Sequence, residues 1–114
     1  MPYSYKKSER LRKNSEFVSA MRGRRLSVDG LSLFYMPNEA GNFRVGISVG
    51  KKAGGAVRRN LLRRRLRHAI GRAIGPASAG YDLVFVARQG LASRPYQEIQ
   101  KIVEAALRKT GVIE

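Results

Sequence analysis

Gly54-Gly55-Ala56-Val57-Arg58-Arg59-Asn60-Leu61-Leu62-Arg63-Arg64-Arg65-Leu66-Arg67, continuing through His68 to Ile74, is the stretch from which the architecture is read. Leu62, Leu66, Ala69, Ile70 and Ala73 gather on one side at about 100° per residue, so the chain from about Ala56 to Ile74 is a helix with one apolar stripe. Asn60, Arg63, Arg64 and Arg67 fall away from that stripe, so the helix can dock on a sheet and still turn guanidinium groups outward. Just upstream, Phe43, Val45, Ile47 and Val49 alternate with Arg44, Gly46 and Ser48, the period of two expected of a strand with one buried face. Downstream, Tyr81 to Ala87 is apolar at nearly every position, as in a strand buried on both faces, and belongs in the interior of the sheet.

Working outward, Leu31 to Met36 reads as another strand, and Pro37 to Asn42 is turn chemistry. The two strands that flank this turn are expected to form an antiparallel hairpin. Arg24 to Val28 is a short extended piece. Asn14 and Ser15 start a first helix in which Phe17, Val18 and Met21 share a face and which ends before Gly23. Gly75, Pro76 and Gly80 bound a loop, and after the interior strand Ser93 is placed to cap a last helix with Pro95 in its first turn. Ile99, Ile102, Val103, Ala106 and Leu107 form that helix's stripe. The order is α-β-β-β-α-β-α, an α+β fold in one domain over residues 1–114 with a loose polar tail through about Lys7.

Composition bounds the partners. Lys and Arg number 23 against 8 Asp and Glu, a formal charge of +15, and such a field repels itself unless a polyanion lies against it. Nucleic acid is the expected partner. Between Lys51 and Arg72 there are nine basic residues and no acidic one: Lys51, Lys52, Arg58, Arg59, Arg63, Arg64, Arg65, Arg67 and Arg72. A solvated helix normally mixes signs, because like charges one turn apart destabilise it, so an external anion is the expected compensation. Arginine's planar fork suits phosphate oxygens and folded RNA better than a point charge does. The preceding Lys51 to Val57 brings backbone to the helix N-terminus, where free N–H groups add to the pull on phosphate, although no Gly-Lys-Ser or Gly-Lys-Thr of a Walker loop follows. Cysteine is absent, which excludes a disulfide framework and a thiolate metal site and suits a reducing cytoplasm. Met1 to Arg12 lacks the apolar run of a signal peptide, and no stretch approaches the ~20 apolar residues of a membrane-spanning helix. A cytoplasmic protein with no membrane partner is expected.

The run Gly54 to Arg67 closely resembles the signature of the bacterial ribonuclease P protein component, in which Gly-x-Ala-Val-x-Arg-Asn precedes arginines at helical spacing. Leu11 to Phe17 is similar to that family's first helix, Arg44 to Lys52 to its third strand, and Tyr81 to Arg88 to its fourth. The resemblance covers about Ser8 to Leu107. Gly55 stands where the family usually has Asn, and Leu61 where it usually has a basic residue; Arg58 or Arg65 is the expected substitute for the missing charge. The resemblance implies a four-stranded sheet with three helices and a left-handed βαβ crossover, like the second domain of small-subunit ribosomal protein five. It implies a subunit that binds a catalytic RNA and precursor tRNA and assists magnesium-dependent hydrolysis that releases the 5′ leader, with Mg2+ held mainly by the RNA and no obligate protein partner. Lys51, Lys52, Arg58, Arg59, Asn60, Arg63, Arg64 and Arg67 would meet the catalytic RNA. Phe17, Met21 and Phe34 would line a leader cleft between the first helix and the sheet, where bases of any sequence can stack on aromatic rings, with Arg88 extending the basic track.

Ordinary core packing is the competing reading for Phe17 and Phe34, and Tyr35, facing the other way, is expected to be structural. His68, the only histidine, is expected to face RNA or solvent, and the eight scattered carboxylates offer no pair spaced for acid–base or metal work. No catalytic residue is expected in the chain. A ribosomal or general RNA-binding protein is the alternative that charge alone leaves open. A DNA-binding regulator is disfavoured because no second helix precedes Ala56 at helix-turn-helix spacing.

Overall fold

The computed structural model describes residues 14–74 and 80–113, and for residues 14–17 and 89 the backbone alone. The polar tail expected through Lys7, and Gly75 and Pro76 of the expected loop, lie outside the described residues. The elements run α1 (Asn14–Met21), β1 (Arg24–Val28), β2 (Leu31–Pro37), β3 (Arg44–Val49), α2 (Ala56–Ile74), β4 (Tyr81–Ala87) and α3 (Tyr96–Thr110), with single 3-10 turns at Lys51–Ala53 and Gln89–Ser93. The order expected from hydrophobic periodicity is the order found.

The sheet runs β1-β2-β4-β3, with β1/β2 and β2/β4 antiparallel and β3/β4 parallel. This corrects the expected hairpin: β2 and β3 are not neighbours, because β4 lies between them. Two physical constraints force that order. β4 is apolar on both faces, lies under helices on each side and pairs its backbone groups along both edges, and α2 carries the chain from the end of β3 back to the start of β4, which makes that pair parallel. The residues between β2 and β3 therefore cross over the start of β4 instead of closing a tight turn. The Arg44 guanidinium donates through both Nε and Nη2 to the Asp82 carboxylate at 2.8 and 2.9 Å. Asn38 Nδ2 donates to the same carboxylate at 2.7 Å, and the Asn38 N–H donates to the Gly80 carbonyl at 2.7 Å.

The two faces of the sheet are unequal. Leu31, Leu33, Val45, Leu83 and Phe85 bury one face against Leu62, Leu66, Ala69 and Ile70 of α2 and Ile99, Ile102, Val103, Ala106 and Leu107 of α3. Tyr35 packs at the edge of this core, as expected of it. On the other face, α1 contributes Ala20 over Val84, flanked by Phe34 and Val86. Eight residues of helix cover that side only in part.

α3 departs from its expected start. Ser93 ends the 3-10 turn, Pro95 occupies the cap position with extended backbone, and no side chain caps the helix. Proline's fixed φ suits that junction without a hydroxyl. At the other end Gly111 adopts the left-handed conformation at φ 80°, a cap that glycine adopts without strain.

Candidate nucleic-acid interface

α2 departs from the ordinary logic of helix electrostatics at its N-terminal end. Aligned peptide dipoles make a helix N-terminus electropositive, so acidic side chains are favoured there and basic ones at the C-terminus. α3 obeys this, with Glu98 in its first turn and Arg108 and Lys109 in its last. α2 has no acidic residue in its first turn, and Arg58 and Arg59 follow immediately. Lys51 and Lys52, both exposed on the 3-10 turn ahead of it, add two more cations at the same end.

The turn is shaped so that the cations can crowd in. Gly54 sits at φ 133°, a backbone strained for any other residue, and a Cβ there would fall 2.6 Å from Cδ of Arg58 and 3.1 Å from its Cβ. Glycine thus lets Arg58 lie back over the turn, where its Nη2 reaches Ser93 Oγ at 3.5 Å. Arg88, exposed at the end of β4, joins Lys51 and Lys52 in lining a cavity of about 510 Å3 beyond the parallel ends of β3 and β4. Crevices outside the carboxyl ends of parallel strands are common ligand sites in α/β sheets.

Along the helix, Asn60 and Arg64 are exposed, and Arg63 and Arg67 are half-buried on the same side. Asn60 Oδ1 accepts a hydrogen bond from Arg63 Nη1 at 2.8 Å, which holds that guanidinium along the surface. Arg59 and Arg67 each bury an Nε that has no hydrogen-bond partner. Leu61 is 42% exposed and Val57 85% exposed, so the face is not purely cationic. His68 departs from its expected solvent or RNA orientation. Its ring packs against Tyr96 of α3 at a centroid separation of 5.4 Å and is half-buried.

The α1 side of the sheet is a second surface of different chemistry. Phe34 is half-buried, and Met21 and Val18 are exposed at 44% and 45%. Phe17 lies in α1 by its backbone, and its side chain lies outside the described residues. Register sets the neighbours: Arg25 faces Phe34 across β1/β2, and its guanidinium stands 5.6 Å from the ring centroid. Arg88 stands four residues beyond Val84, the partner of Phe34, so it is about 13 Å further along the strand. It belongs with Lys51 and Lys52 more than with the Phe34 row. Arg25 and Val86 escaped the sequence reading because only strand register brings them beside Phe34.

The Ribonuclease P family profile matches residues 5–111. The chain belongs to that family. It is 34% identical over 110 residues to the ribonuclease P protein component of Streptococcus pyogenes serotype M5, covering 96% of this chain and 92% of that protein, and 36% identical to the serotype M49 protein with the same coverage. The structure of Staphylococcus aureus RNase P protein superposes with a TM-score of 0.86 at 29% identity, over 95% of this chain and 100% of that one. As an RNase P component the chain takes part in tRNA processing as an RNA-binding member of a ribonucleoprotein ribonuclease. Its partner is RNase P RNA. Among the described residues no helix is long and apolar enough to cross a membrane, and no group of three or more His, Cys, Asp or Glu residues is arranged to hold a metal ion.

Proposed function

We propose that this chain, as one cytoplasmic domain, holds the catalytic RNA with α2 and the 5′ leader of precursor tRNA with the α1 face, while the RNA carries out the cleavage. The observation that carries this reading is the crowd of cations at the N-terminal end of α2, with no acidic residue in its first turn. Lys51, Lys52, Arg58, Arg59, Asn60, Arg63, Arg64 and Arg67 supply the donors for phosphate oxygens, interrupted by the exposed Val57 and Leu61. The electropositive helix end strengthens the same attraction.

Phe34, Met21 and Phe17 supply apolar and aromatic surface for the leader, and such stacking is tolerant of sequence because every base has a π-face. Arg25 over Phe34 keeps a cation beside that surface for the leader's phosphates. Arg88 with Lys51 and Lys52 lies at the end of β4 that leads from this face to α2. The cations lower the repulsion between two polyanions and so position the scissile phosphate. The hydrolysis uses Mg2+, which we assign mainly to the RNA.

Reconstitution tests the reading. The chain is combined with a bacterial-type RNase P RNA, and cleavage of precursor tRNA is followed at low magnesium. Faster cleavage than by RNA alone is expected, and an unchanged rate would leave a general RNA-binding protein as the better description. Phe17→Ala is expected to impair a leader-bearing precursor more than mature tRNA; equal loss for both would assign Phe17 to packing.

A further inference from the structure

A second cavity, of about 520 Å3, opens at the other end of the sheet, where β1 begins, β2 ends, β4 starts and α3 terminates. Its lining includes Arg22, Arg24, Tyr35, Met36, Tyr81 and Thr110. The volume lies within the ~300–1,000 Å3 of small-ligand pockets. Leu31 pairs with Ala87 at one end of the β2/β4 ladder and Pro37 with Tyr81 at the other, so this cavity lies about 20 Å from the Lys51 to Arg88 crevice.

Register gives the pocket two aromatic rings. Tyr35 faces Leu83 and Pro37 faces Tyr81, which makes Tyr35 and Tyr81 diagonal neighbours on one face of the antiparallel pair. Such neighbours stand about 7–8 Å apart. Arg24 opposes Tyr35 on β1, and Arg22 precedes it in the turn after α1. Both arginines are exposed, and among the described residues neither makes an ion pair or a side-chain hydrogen bond. The turn is pressed against the strand end at Gly23, where a Cβ would meet the Tyr35 carbonyl oxygen at 2.4 Å and Met36 Cβ at 2.9 Å. A residue without a side chain thus lets the turn between Arg22 and Arg24 close on the end of the strand that carries Tyr35.

We propose that this cavity is a second RNA contact that takes one nucleotide of a single strand, its base on Tyr35 and Tyr81 and its phosphate on Arg22 and Arg24. The exposure of the walls sets the orientation. Arg22 and Arg24 are exposed whereas Tyr35 and Tyr81 are half-buried, so the phosphate lies at the arginine mouth and the base points inward. Aromatic surface beside arginine is the pairing that single-strand binders use without sequence choice. The proposal does not depend on the role assigned to α2.

Nuclear magnetic resonance titration of the full chain with adenosine 5′-monophosphate tests it, with inorganic phosphate as a parallel titrant. Saturable shifts at the amides of Arg22, Gly23, Arg24, Tyr35 and Tyr81 are expected with the nucleotide and much weaker ones with phosphate. The double variant Arg22→Ala/Arg24→Ala should bind the nucleotide roughly tenfold or more weakly at this site, as expected for the loss of charge-assisted hydrogen bonds, while shifts at Lys51 and Lys52 persist. Tyr81→Phe should retain binding and Tyr81→Leu lose it; if Tyr81→Leu fails to fold, the arginine pair decides. Shifts confined to the Lys51 to Arg88 crevice, undiminished binding by the double variant, or equal response to phosphate alone would overturn the proposal. Cleavage of precursor tRNA does not enter this readout, so it fails or succeeds separately from the function proposed above.

Discussion

Asp82 ties β4 to β3 and to the turn that follows β2 through one side chain. It is 6% exposed, stands in β4 opposite Met36 of β2 and Arg44 of β3, and accepts from Arg44 and Asn38. A carboxylate this far from water is stable only while its donors hold it, and removing it strands the half-buried guanidinium of Arg44 among fewer acceptors. Asp82→Ala is expected to lower unfolding free energy by about 2–3 kcal/mol in urea denaturation, against the few tenths typical of a surface change. The sequence marked Asp82 only as a polar interruption of an apolar strand, since its partners lie 38 and 44 positions away. Phe34 is a residue whose identity was legible and whose surroundings were not. Its ring is half-buried under a cation, so Phe34→Leu should cost little stability and yet weaken binding of a leader-bearing precursor by about 1–3 kcal/mol relative to mature tRNA. Parallel binding and denaturation curves for the variant check both halves of that statement.

At the scale of elements, helices and strands with strong periodicity were readable because the pattern is local. The stripes of α2 and α3 are buried almost residue for residue as expected, with Gly71 and Ile74 added to the α2 set and Ala73 at its margin. Caps were less readable: Ser93 has the right chemistry to start α3, but the chain first makes a 3-10 turn and Pro95 takes the junction. The charge of α2 yields a quantitative expectation. Each phosphate deprived of its cation should take about 0.7–0.9 off the slope of log affinity against log salt, so Arg63→Ala/Arg64→Ala/Arg67→Ala should flatten the slope for the catalytic RNA by about 2–3. Helix content should remain, since alanine is the better helix former and none of the three side chains belongs to the buried stripe. An unchanged slope would mean that this face meets solvent in the complex.

At the scale of the whole molecule, a charge of +15 on 114 residues makes the isolated chain self-repelling, and a ligand that binds only the folded state stabilises it by mass action. RNase P RNA at about 100 times its dissociation constant should raise unfolding free energy by about 2.7 kcal/mol, and a rise in the urea midpoint that disappears at high salt is the expected record. Composition, the seven-element order, the two helical stripes, the doubly apolar β4 and the basic run on α2 were all determined by the sequence alone, because each depends on residues near one another in the chain. Strand order was not. Turn residues between β2 and β3 are compatible with a hairpin, and only the need to flank β4 on both sides, met through the α2 crossover and the Asn38, Arg44 and Asp82 contacts, separates those strands. The Arg25 and Phe34 pair, the His68 and Tyr96 contact and the cavity between Arg24 and Tyr81 depend on that same packing, since residues far apart in sequence become neighbours only when the sheet closes in this register.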